Sequence, residues 1–99
     1  MLERNYQAKL IKKLYAMFPD NTVVLKNDAN YLQGFPDLLI LHNDRWAILE
    51  TKKGRDAHHQ PNQDYYVDML DHMSYAAFIF PENEEEVLRE VQRALEPGG

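Results

Sequence analysis

A chain of 99 residues with 44% hydrophobic and 27% charged residues has the size and balance of one small globular domain, residues 1–99, with no room for a second core. The absence of cysteine excludes disulfides, a thiol nucleophile and Cys-ligated metal centres, and apolar runs as short as Leu38–Leu41 exclude a membrane span. The net charge of −5 is unevenly spread: residues 1–55 hold nine Lys/Arg and six Asp/Glu, a net of +3, and residues 56–99 hold two and ten, a net of −8. The first half therefore either faces a polyanion or is a solvated surface, while the second keeps the chain soluble. Glu3 and Arg4 stand where a secretory signal would need an apolar core, so a cytoplasmic protein is expected.

Leu2 to Phe18 reads as an amphipathic helix, with Tyr6, Leu10, Leu14, Met17 and Phe18 at three- and four-residue steps. Pro19-Asp20-Asn21 stops it, and Thr22–Lys26 is a short β-branched strand. A polar loop, Asn27–Gly34, leads into an apolar strand, Pro36–His42. The turn signal Asn43-Asp44 joins it to a second apolar strand, Arg45–Lys52. A loop over Gly54–Pro61, a helix over Asn62–Met73 and a buried strand over Ala76–Phe80 follow. The last helix, Glu84–Leu95, starts at Asn83 or a neighbour as cap, has acids in its first turn, and turns Val87, Leu88, Val91 and Leu95 inward. Glu96-Pro-Gly-Gly reads as a frayed end. The order is α-β-β-β-α-β-α, an α/β class, and strands apolar on both faces predict a sheet flanked by helices.

If Asn43-Asp44 form a two-residue loop, or 42–45 a four-residue one, His42 pairs with Arg45, Leu41 with Trp46, and Asp37 falls opposite Glu50 with Lys52 on the same face; a three-residue loop would shift the pairing by one. Like charges facing each other destabilise a sheet. Either a cation sits between them, and with oxygen ligands only the hard ions magnesium and manganese fit best, or the two acids splay outward with Lys52 as partner. Glu3 projects from the apolar face of the first helix: it points at the sheet, or its terminal turn overhangs the core and leaves it in water. Gln63 opens the second helix on the side of Tyr66, Val67 and Leu70, while Asp64, Asp68 and Asp71 take the other side. Lys9 and Lys12 lie opposite the apolar face, His58-His59 reads as a surface pair, and Trp46 as core or interface.

Gly34-Phe35-Pro36-Asp37-Leu38 followed by Glu50-Thr51-Lys52 resembles the PD-(D/E)XK nuclease signature. The glycine before Pro-Asp, Lys53-Gly54 after the signature and the Gln63-Asp64-Tyr65-Tyr66 helix start are most similar to the VRR-NUC family, in its stand-alone form from phages and bacteria. The resemblance runs from Glu3 to about Leu95 and implies a restriction-endonuclease-like core with a mixed sheet. It implies a magnesium- or manganese-dependent endonuclease acting on DNA, in which Asp37, Glu50 and the Thr51 carbonyl bind metal and Glu3 binds or orients it through water. Lys52 would orient the attacking water, Gln63 would support the site, and Arg4, Lys53, Arg55 and Tyr66 would meet DNA. It further implies a homodimer that resolves four-way (Holliday) junctions inside a bacterial or phage-infected cell. Two other readings stand beside this one: a flap or nicking nuclease without junction preference, and a non-enzymatic acidic DNA mimic or adaptor.

Overall fold

The computed structural model describes residues 3–98; Leu2, the expected helix start, and Gly99 lie outside them. The elements follow the expected order: α1 Glu3–Met17, β1 Thr22–Lys26, β2 Leu38–His42, β3 Arg45–Thr51, α2 Pro61–Met73, β4 Tyr75–Ile79 and α3 Glu84–Leu95. The sheet runs β1-β2-β3-β4, antiparallel between the first three strands and parallel between β3 and β4, so it is mixed. The one parallel pair is bridged by α2, since parallel neighbours need a crossover.

One face of the sheet presents Leu38, Ile40, Ala47, Leu49 and Ile79 to the buried stripes of α1 (Tyr6, Leu10, Leu14) and α3 (Val87, Val91, Leu95), with Phe18 closing the layer. The other face packs Ile48 and Ala76 under Val67 and Leu70 of α2. The expectation of helices on both faces is met unevenly, because α2 lies over β3 and β4 only. The register sets Val23, Leu41 and Trp46 in one row and Leu25, Leu39 and Ile48 in the next, on the face that α2 leaves open. Val23, Leu25 and Leu41 are 47%, 44% and 38% exposed there, unusual for a run of adjacent aliphatics.

Side chains engage some of the outward backbone groups at both sheet edges. On β1 the Tyr15 hydroxyl accepts the outward Val24 N–H at 2.9 Å. On β4 the outward groups alternate: Asp71 accepts the Ala76 N–H, Asn83 Nδ2 donates to the Phe78 carbonyl, and Asn83 Oδ1 accepts the Phe80 N–H. Asn83 was expected to cap α3. It stands at the N-cap position without a side-chain cap bond, because its amide is tied back to β4 instead.

The ends of several elements shift by a residue or two from expectation. β2 starts at Leu38 rather than Pro36, since Pro36 has no N–H for a ladder and its carbonyl is taken by Asn27 Nδ2 at 2.7 Å. β3 ends at Thr51, and β4 spans Tyr75–Ile79. Helix α2 begins at Pro61, whose fixed φ suits the first helical position.

Candidate metal centre

The site forms where β2 begins and β3 ends, at one end of the sheet with α1 on one side and α2 on the other. The hairpin register is as expected: His42 opposes Arg45, Leu41 opposes Trp46, and the ladder closes at Leu38 opposite Leu49. One step beyond, Asp37 comes level with Glu50. Carboxylate oxygens of Glu3, Asp37 and Glu50 lie within 4.8 Å of one another. Glu3, the residue whose direction the sequence left open, therefore turns its carboxylate to the sheet end even though the residue as a whole is exposed.

The expected sharing of a face needs one correction. Glu50 is held from the α2 side, where Gln63 Nε2 donates to its Oε2 at 3.0 Å. Asp37 is held from the α1 side. The Thr51 N–H donates to Asp37 Oδ1 at 3.2 Å, and both the Thr51 hydroxyl and Gln7 Nε2 donate to Oδ2. Asp37 precedes the regular strand, so its side chain leans across the sheet end rather than standing in the pleat. The two acids meet across that end.

Thr51 thus contributes an amide and a hydroxyl to Asp37, in addition to the carbonyl role that the resemblance implies. Gln7, one helical turn after Glu3, is a site residue that the sequence reading missed. It reaches Asp37 at 3.2 Å, and its only sequence signal is the i, i+4 spacing from Glu3.

Lys52 is buried, at 6% exposure, and two of its three N–H groups are engaged: Nζ donates to Gln63 Oε1 at 2.8 Å and to the His58 carbonyl at 3.0 Å. Gln63 Oε1 also accepts the Gln60 N–H at 2.9 Å, so the first turn of α2 fixes this amide's orientation. Lys52 Nζ stands 3.8 Å from Glu50 Oε2.

Burial, reinforced by a hydrogen bond to Asp37 and by its negative charge, pushes the Glu50 carboxyl up to about 9. At neutral pH Glu50 then carries a proton. The Lys52–Glu50 approach becomes an ion pair only when that proton leaves. Glu3 is also raised, by burial first and Asp37 second, against the opposing pull of Lys52 and Lys53. The nearby Lys52 ammonium opposes the rise at Glu50 without cancelling it. Three convergent carboxylates with oxygen donors only are the donor set of a hard divalent cation.

Around this centre Arg4, Lys53 and Arg55 are exposed, and Lys53 lies near enough to Glu3 to act on its charge. Tyr66 is half-buried, packed edge-on against Phe35 with ring centroids 5.5 Å apart. Lys9 and Lys12 are exposed, as expected. The histidine pair divides: His58 is exposed, whereas His59 stacks on Phe78 at 4.0 Å and meets Asp64 at 3.1 Å, which anchors the loop that offers its carbonyl to Lys52. No helix among the described residues is long and apolar enough to cross a membrane. No protein-family model, curated protein or solved structure matches this chain.

Proposed function

We propose that this protein is a divalent-metal-dependent endonuclease that hydrolyses phosphodiester bonds in branched DNA. The observation that carries this reading is the gathering of Glu3, Asp37 and Glu50 around one point, with Lys52 beside them. Asp37, Glu50 and Glu3 would hold magnesium or manganese. When bound, such an ion lowers the pKa of water and neutralises charge on the phosphate. Lys52 supplies a cationic donor to the attacking water or a phosphate oxygen, and Gln63 keeps its ammonium in place. Arg4, Lys53 and Arg55 extend the positive charge along a DNA backbone.

Homodimerisation belongs to the same proposal. Paired cuts across a four-way junction need two active sites, and this chain offers one. The open row of Val23, Leu25 and Leu41, with the groove of about 290 Å³ lined by Phe35, Leu39, Trp46 and Leu70, is the surface that supports pairing.

A cleavage panel of duplex, flap, splayed-arm and four-way DNA with magnesium or manganese tests the reading. Metal-dependent paired nicks in four-way DNA are expected. Cutting confined to flaps would favour the nicking alternative. Absence of cleavage, together with magnesium binding no better than at any acidic surface, would favour the acidic mimic or adaptor.

A further inference from the structure

The β1–β2 loop is pinned at both ends to the residues that build the metal centre. At its start the Asn27 N–H donates to the Asp37 carbonyl at 2.7 Å, and Asn27 Nδ2 donates to the Pro36 carbonyl. At its end Asn62, the neighbour of Gln63, donates to the Gln33 carbonyl at 3.0 Å. Gly34 has φ +86°, and a Cβ there would overlap the Asn62 side chain, so only glycine lets the loop close on α2. Short turns between Asp28 and Tyr31 and between Leu32 and Phe35 brace the middle. Held this way, the loop presents Tyr31 at 90% exposure, the most exposed of the large apolar side chains. Beneath it opens a cavity of about 500 Å³ lined by Asn27, Asp28, Tyr31, Leu32 and Phe35.

We infer that this cavity receives an unpaired nucleobase next to the phosphate being cut, stacked on Tyr31 with Phe35 as its floor. This rests on the nuclease reading and adds to it the feature of the substrate that is recognised. The volume is ample for a single planar heterocycle. Two aromatic rings supply stacking, which tolerates any base. Asn27 and Asp28 bring acceptor oxygens that match the exocyclic amines of adenine, cytosine and guanine. Phe35 precedes Asp37 by two residues, so their Cα atoms lie within about 7 Å of each other. In continuous duplex the bases are paired and stacked and cannot enter. At a branch point or a flap they can, so the pocket converts a structural feature of DNA into placement of the adjacent phosphate.

The test is binding rather than cleavage. Four-way and flap DNA carrying 2-aminopurine at the branch is titrated with protein in calcium, where no product forms. Wild type is expected to quench the probe and to bind branched DNA more tightly than duplex. Tyr31→Ala should lose the quenching and weaken branched-DNA binding about five- to a hundred-fold, leaving duplex binding unchanged. Tyr31→Trp should retain both properties, and Met73→Ala, at an exposed site on the far end of α2, should change neither. Normal cleavage and normal quenching by Tyr31→Ala would overturn the pocket while leaving the nuclease reading standing. Failure of wild type to bind any DNA would overturn both. Dissociation of a dimer by Tyr31→Ala without any change in the bound base would reassign the loop to subunit contact and overturn the pocket.

Discussion

Gln63 donates to Glu50 at 3.0 Å while its carbonyl oxygen accepts from Lys52 at 2.8 Å, so one amide bridges the acid and the base of the site. Both partners are buried, and neither has water as a ready substitute. Gln63→Leu should therefore cost about 1–3 kcal/mol of stability through the groups left unpaired. In a domain of this size that is a fall in melting temperature of about 4–8 °C per kcal/mol, measured by thermal unfolding. Gln63→Glu keeps the shape but sets another negative charge beside Glu50. It should reduce cleavage while raising the pH at which the centre ionises.

Asp37→Asn and Glu50→Gln should each abolish metal-dependent cleavage without unfolding the protein. Their stabilities should differ. Asp37 accepts from three donors, and an asparagine would turn a donor of its own toward Thr51 or Gln7. Glu50→Gln replaces a group that is already neutral at pH 7 and should leave stability there nearly unchanged. Wild-type cleavage rates from purified Asp37→Asn would refute the site assignment.

The protonated Glu50 gives stability a definite pH dependence when metal is absent. Its native pKa of about 9 lies above the ordinary 4.5, so the folded state holds a proton that the unfolded chain releases. This contribution is complete below pH 4.5 and is lost progressively as pH climbs through about 9. Glu3 acts in the same direction. Thermal melts in chelator should show a decline over this window, and Glu50→Gln should flatten it. A divalent ion should oppose the decline, with metal affinity rising as pH rises, because binding expels the proton.

Lys52→Met should retain metal binding, read by calorimetry, and lose turnover. Glu3→Gln should lower activity at every salt concentration, whereas the loss from Arg4→Gln should shrink as salt rises, because Arg4 acts through a screened attraction to phosphate. Equal, salt-sensitive losses would return Glu3 to the solvent-facing role.

Leu41→Lys sets a charge in the middle of the open sheet face. It should convert a dimer to a folded monomer, seen by sedimentation at micromolar concentration, and should reduce paired cutting of four-way DNA more than nicking of a flap. A wild type that is monomeric yet makes paired cuts would contradict the assembly.

The hairpin was legible because the Asn43-Asp44 turn signal, taken as a two-residue loop, implies a register that brings Asp37 level with Glu50. Gln63 was legible from its place on the apolar side of a helix start. Gln7 was not, since a glutamine on a lysine-rich helix reads as surface; only the fold shows that the turn after Glu3 passes over Asp37. Asn83 misled for a related reason. Asparagine before an acidic helix start signals a cap, but the free edge of β4 offers its amide a donor and an acceptor at once. The uneven cover over the sheet was also hidden. Alternation tells which residues share a face, while the length and placement of α2 decide how much of that face it shelters.

The side chains that engage the sheet edges bear on how this chain behaves at high concentration. Strand addition is the common route by which small sheets polymerise, and it needs a row of free N–H and C=O groups. Tyr15 on β1 and Asp71 and Asn83 on β4 interrupt that row, while the open face stays exposed. Contacts through a face saturate once two copies have met, whereas contacts through an edge propagate. A protein with three aliphatics in water can therefore accumulate as a bounded, reversible assembly instead of a fibre. Removing the Tyr15 hydroxyl, by Tyr15→Phe, should turn a self-limiting association into an open-ended one.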